Sequence, residues 1–240
     1  MTLDACAIWL YGSHARGDAD QLSDIDVLLV SDAHTSKQEI STVLRFDSPN
    51  LSVSQYSWPE IEGMSCYGSL FLHHLRLEGI KVSEGSACQG RLDNILSTLK
   101  PYQNYRKDLQ AFRITLEDVR ESLSEEGSVA FELSILATVL RHSAMLSCYM
   151  DGRANFGRLT SIRQAHSFLG LGTEWVALFD RLYQYRLWSD SRISQPDDVE
   201  RSQAIEWCNQ AMKALNALEE QANVYAKSLP FATCESARSS

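Results

Sequence analysis

The hydrophobic pattern of this chain changes period once, near residue 86, and that change limits the folds open to it. Before it, short apolar runs alternate with turn residues. Residues 6–11 are apolar and stop at Gly12-Ser13; residues 26–30 are apolar and rich in branched side chains and stop at Ser31-Asp32. Both read as buried strands. Residues 51–56 alternate, with Leu51, Val53 and Gln55 on one face and Ser52, Ser54 and Tyr56 on the other, as in a half-exposed strand. Ile80-Lys81-Val82 reads as a brief fourth strand. Between strands, Ile40, Val43 and Leu44 share a helical face over 35–44. Trp58-Pro59-Glu60 opens a helix predicted to run to about Leu77, where Gly79 closes it. After residue 86 a 3.6-residue period takes over. It predicts helices near 87–98, 103–123, 129–150, 159–168, 173–188 and 199–226, punctuated by Pro101, Gly127, Gly152, Gly170 and Pro196. The fold class is α+β. A sheet with flanking helices occupies 1–86, an α-helical bundle 87–226, and 227–240 reads as a disordered tail.

Composition narrows the setting. At 240 residues, 44% apolar and 22% charged, the chain can bury a sizeable core without disulfide or metal staples. No stretch approaches the roughly 18–20 consecutive apolar residues of a membrane span, so no membrane insertion is expected. Residues 1–7 carry Asp4 and no basic residue, which does not read as a signal peptide. Cys6, Cys66, Cys88, Cys148, Cys208 and Cys234 are scattered without a CxxC pair, so they read as reduced thiols of a cytoplasmic protein rather than as a zinc site. The net charge of −9 excludes non-specific coating of nucleic acid, which needs clustered cations. It leaves room for a local nucleotide site or a metal held by carboxylates.

One constellation carries chemistry. Gly12-Ser13 follows the first strand, and Asp24-Ile25-Asp26 opens the second. Gly12 lets a strand turn sharply. Ser13 offers a hydroxyl where a helix begins, and exposed amides there attract phosphate. Alternation puts Asp24 and Asp26 on one face and Ile25 in the core. Two adjacent carboxylates stay ionised when a cation lies between them, and Mg²⁺ carried by a nucleoside triphosphate supplies one.

The segments Leu10-Tyr11-Gly12-Ser13-His14-Ala15-Arg16-Gly17 and Ser23-Asp24-Ile25-Asp26-Val27-Leu28-Leu29-Val30 resemble the DNA polymerase β-type nucleotidyltransferase superfamily. The likeness is to its small prokaryotic branch of minimal nucleotidyltransferases, which are paired with helical toxins. The aminoglycoside nucleotidyltransferases are similar. The resemblance implies an enzyme in which Gly12 and Ser13 hold the phosphates of a nucleoside triphosphate and Arg16 contacts a phosphate or the acceptor. Asp24 and Asp26 would be catalytic and bind Mg²⁺, with Mn²⁺ as the alternative. It implies transfer of NMP or dNMP to a hydroxyl of a protein or oligonucleotide, in a phage-defence or toxin–antitoxin setting with a partner effector. A homodimer is the expected assembly. An aminoglycoside-type small-molecule transferase and an inactive nucleotide-binding sensor or antitoxin are the competing readings.

There is one departure from the family pattern. A third carboxylate belongs on the next strand, beside the DxD pair, and Ser52 stands there. Serine is a poor base and a poor metal ligand. Three readings compete: Asp47 substitutes through a shifted register, two carboxylates suffice, or the site binds nucleotide without turnover.

In the helical half, Arg141, Arg153, Arg158 and Arg163 occur between residues 133 and 173 with Asp151 the one acid there. This local excess is a candidate phosphate-facing surface. The pairs Tyr183/Tyr185 and Trp175/Trp188 fit a helix–helix core.

Overall fold

The structure is a computed structural model and describes residues 5–33, 40–42 and 50–229. The chain forms two compact units, 1–104 and 105–240. Both the α+β class and the helical second half expected from the sequence are present.

The first unit is built on a four-stranded sheet of order β3-β2-β1-β4. Its strands are β1 (Ala7–Tyr11), β2 (Ile25–Val30), β3 (Leu51–Tyr56) and β4 (Ile80–Glu84). β1 runs antiparallel to β2 and β4, while β2 and β3 are parallel. Alternation along each strand fills two cores. On one face Ala7, Trp9, Leu28 and Val30 pack with Trp58, Ile61, Leu72, Leu75, Leu92 and Leu96. On the other, Cys6, Ile8, Val27, Leu29, Ile40 and Leu51 pack together. A sheet covered on both faces explains why β1 and β2 are nearly continuous apolar runs.

Helices α1 (Gly12–Arg16), α2 (Trp58–Cys66), α3 (Leu70–Glu78) and α4 (Arg91–Ser97) complete this unit. The Ser57 hydroxyl accepts from the Glu60 amide while the Glu60 carboxylate accepts from the Ser57 amide at 2.7 Å, a reciprocal cap on α2. Trp58 then anchors the helix: its amide donates to Asp32 Oδ1 at 3.0 Å and its indole to Ala5 O at 3.1 Å.

The single helix expected from Trp58 to about Leu77 is two helices, broken at Gly68. This residue has φ of +64°, and a Cβ there would strike the backbone carbonyls of Lys100 and Pro101. The strap at 100–103 is held on that break. The Lys100 carbonyl meets His73 Nε2 at 2.9 Å, and the Gln103 amide donates to Tyr67 O at 3.0 Å. The same packing moves the unit boundary from the expected residue 86 to residue 104. Leu92 and Leu96 of α4 join the sheet core, so the first helix assigned to the bundle folds with the sheet. Of the predicted helix at 35–44, residues 40–42 are described and helical. Most of the 227–240 tail lies outside the described residues.

The second unit contains α5 (Tyr105–Ser124), α6 (Val129–Met150), α7 (Arg158–Ala165), α8 (Glu174–Ser189) and α9 (Arg201–Ser228). α6 packs on all four others. It is long and apolar enough to cross a membrane by length and composition, yet most of it is buried within the bundle. α9 meets its neighbours through Ala204, Cys208, Ala211, Ala214 and Ala222, whose small side chains allow close approach, and through Leu215 and Leu218. Arg201 donates to the carbonyls of Leu123 and Gly127 at 2.7 and 2.9 Å, satisfying acceptors at the end of α5. Of the two pairs read as core, Trp175 and Tyr185 are buried, while Tyr183 and Trp188 are half-buried.

Candidate active site

β1 delivers the site. Tyr11 is its last residue, and the chain turns at Gly12 into the single turn of α1. Gly12 has φ of +73°, and a Cβ there would stand 2.5 Å from Asp26 Oδ2. Only glycine leaves room for that carboxylate against the turn. The sharp turn and the acid, which lie apart in sequence, are thus adjacent in space.

Asp26 is central in its row. It pairs with Tyr11 across the antiparallel ladder and with Ser52 across the parallel one. Residues in register share a face, with neighbouring strands about 4.8 Å apart. Ser52 therefore stands beside Asp26, where the sequence placed the departure from the family pattern. Asp24 lies just ahead of β2, and Ile25 between the acids packs against the opposite core. Asp24, Asp26 and Ser52 are half-buried. Asp47 lies outside the described residues.

Ser13 sits half-exposed in α1, and its carbonyl accepts from the amides of Gly17 and Asp18 at 2.9 and 3.1 Å. Arg16 leaves the same turn toward α3. Its Nη1 donates to Glu78 Oε2 at 2.6 Å, and its Nε and Nη2 engage Asp18 at 3.2 Å. In this structure the guanidinium ties α1 to the end of α3.

Five residues to which sequence reasoning gave no role complete the surroundings. The Tyr11 hydroxyl reaches across β2 to Ser54 Oγ at 2.9 Å, and its ring meets Phe71 and His74 edge to face at 5.4 and 5.6 Å. Burial is the main force pushing the Tyr11 hydroxyl above its ordinary pKa, so it stays protonated. Glu78 Oε2 also pairs with His74 Nε2 at 2.7 Å. Burial alone would raise the Glu78 carboxyl, but bonds from His74 and Arg16 outweigh it and hold the group below the usual glutamate range. Alternation from Asp26 could have exposed the Tyr11–Ser54 row. The His74/Glu78 spacing of four on a helix, with an acid opposed to the helix dipole, was the signal for the second group.

The donor set suits Mg²⁺, which is commonly bound by one or two carboxylates together with substrate phosphates. Asp24 and Asp26 supply two carboxylates, and the second of them is seated against Gly12. Among the described residues, no group of three His, Cys, Asp or Glu is placed to hold a metal by itself.

A mixed sheet, a glycine–serine turn and a carboxylate seated against it stand together in the first unit. The family model for the nucleotidyltransferase domain matches residues 6–61, from the start of β1 into α2. The first unit thus carries a nucleotidyltransferase domain, consistent with the polymerase β-like superfamily, and nucleotidyl transfer is the general chemistry that the match supports. No curated protein matches the chain.

Proposed function

We propose that the first unit transfers a nucleoside monophosphate from a nucleoside triphosphate to a hydroxyl, with release of pyrophosphate. The observation that carries this reading is the seat of Asp26 against Gly12, which joins the phosphate-binding turn to the acid pair. Asp24 and Asp26 would hold Mg²⁺, or Mn²⁺, which supplies positive charge to the triphosphate and polarises the reacting phosphorus. Ser13 donates its hydroxyl to a phosphate oxygen, and Gly12 keeps the backbone clear for that approach. The acceptor oxygen forms a bond to the α-phosphorus as the bond from that phosphorus to the β-phosphate oxygen breaks. Ser52 cannot take the acceptor's proton at neutral pH, so the proton leaves to water or to a phosphate oxygen. Arg16, held by Glu78, fixes α1 in place and reaches phosphate by exchanging that partner.

The acceptor class best suited to the reading is a protein hydroxyl or an oligonucleotide end, in a cytoplasmic defence or toxin–antitoxin setting with a partner protein. A second reading is favoured by Ser52: a site that binds nucleotide without turnover and acts through a partner. The deciding experiment incubates the full chain with each labelled NTP and dNTP and with Mg²⁺ or Mn²⁺. The Asp24→Ala/Asp26→Ala variant is run beside it, and products are resolved by gel and mass spectrometry. A product that vanishes in the variant supports transfer. Saturable nucleotide binding without any product supports the sensor.

A further inference from the structure

The second unit contains a cleft of about 350 Å³ between α5 and α9. Its lining follows helical spacing. Arg106, Leu109, Gln110 and Arg113 form one stripe of α5, and Glu219, Ala222 and Asn223 face them from α9. Buried Leu109 and Ala222 make a small apolar floor. At one end Arg113 is engaged: it meets Glu219 at 3.0 and 2.8 Å and the Asn216 side-chain oxygen at 2.8 Å. At the other end the Arg106 guanidinium stands 5.5 Å from the Tyr105 ring. It meets no carboxylate among the described residues. The Gln110 and Asn223 amides likewise form no hydrogen bond to another described residue.

We infer that this cleft binds one nucleotide unit of a single strand. The volume is near the lower bound of roughly 300 Å³ for small-molecule sites, which suits a base with its sugar and excludes a large ligand. Two amides, each able to donate and accept, match the mixed donor and acceptor edge of a base lying on the Leu109–Ala222 floor. Glu219 is neutralised by Arg113, so Arg106 is the one cation left uncompensated among these lining residues. That balance suits the single charge of a phosphodiester and disfavours a triphosphate. The site is independent of the transfer reaction proposed for the first unit.

The test uses the full chain and a labelled single-stranded tetranucleotide, in RNA and DNA form, read by fluorescence anisotropy. Nucleoside monophosphates compete in a parallel arm. Saturable strand binding is expected. Arg106→Ala should lower the salt dependence of affinity by about one ion. Gln110→Ala/Asn223→Ala should weaken binding about 10-fold and flatten any base preference. All these side chains except Arg113 are on exposed positions or the cleft rim, so melting curves should be unchanged; Arg106→Glu, which should abolish binding, provides a second check. Asp24→Ala/Asp26→Ala should bind the strand as the native chain does, which separates this site from the first unit's. No saturable binding, or binding indifferent to these cleft variants, overturns the proposal. Monophosphates binding as tightly as the strand overturn the strand assignment.

Discussion

The two units tie down their polar groups by different means. The first buries Ser31, Ser69 and His73 and nearly covers the Glu78 side chain. The second buries Glu132, Ser134, Ser143, Ser147 and Ser161; burial pushes its Cys148 and Cys208 thiols up to about 12 and about 11, and desolvation pushes its His142 imidazole down to about 4. Ser147 shows how such a group is accommodated: its hydroxyl donates to the Gln221 side-chain oxygen at 2.7 Å, and Gln221 returns a bond to the Ser147 carbonyl at 3.0 Å. A closed neutral pair of this kind carries no charge that pH could change. The sheet unit instead secures its strap and its α1 turn through groups whose charge depends on pH. Acid therefore reaches both units, the first through His73 and Glu78 and the second through His142, which desolvation keeps neutral.

The largest test of that contrast is functional. Asp26→Asn should lower turnover on the order of 10³-fold, about 4 kcal/mol in the barrier, in a labelled-nucleotide assay. The half-buried position predicts little change in melting temperature. An equal loss of folding would assign Asp26 to structure instead.

The next test compares two glycines of the same φ, +64°. Gly68→Ala should cost about 3 kcal/mol, because left-handed strain adds to the collision with the Lys100–Pro101 carbonyls. Gly170→Ala, with nothing near its Cβ, should cost about 1 kcal/mol. Urea denaturation of both variants isolates the contribution of the strap.

Acid sharpens the comparison further. Burial is the main force lowering the pKa of His73. The unfolded chain then binds the proton more readily, and stability falls as pH drops below about 6.5. Glu78 is depressed too, so its stabilisation is present above the ordinary glutamate pKa and is lost as pH falls through the lower folded value. His142 of the second unit is pushed down to about 4, mainly by desolvation, so hydrogen exchange read by mass spectrometry should show both units losing protection as pH falls, the first through His73 and Glu78. His73→Gln should remove the earlier part of that loss, at a cost of about 1 kcal/mol at neutral pH for the altered bond to Lys100. The smallest expected effect is a gain. Ser52→Asp, beside Asp26 in register, should raise turnover about 10-fold or less, since a base and a ligand are added to a site shaped without them.

The strands and most helices were legible because each needs only local periodicity. Val129–Met150 was predicted to its ends, for its start at Ser128 and its stop at Asp151-Gly152 are written beside the apolar stripe. The break at Gly68 was not legible. Its cause is a strap more than thirty residues later, and glycine alone does not announce what approaches it. The unit boundary was hidden for a related reason: the apolar stripe of Leu92 and Leu96 reveals a buried face without saying against what. In the site, alternation put Asp24 and Asp26 on one face, while the place of Ser52 beside them was legible only through the family resemblance and matches the register. Arg16's partner Glu78 comes from the end of a distant helix, and no local pattern links the two.

The ladder between Ala7 and Glu84 has a consequence for the order in which the protein is made. β1 emerges first, yet its second neighbour is the last strand of the sheet. Until Ile80–Glu84 has been synthesised, β1 presents an open edge, and the strap behind Gly68 arrives later still. Such long sequence separations slow folding. The turn that carries Gly12-Ser13 is thus translated before the sheet's other strands and locked in position near the end of its unit's synthesis. During that interval the nascent chain has its motif but not its cradle.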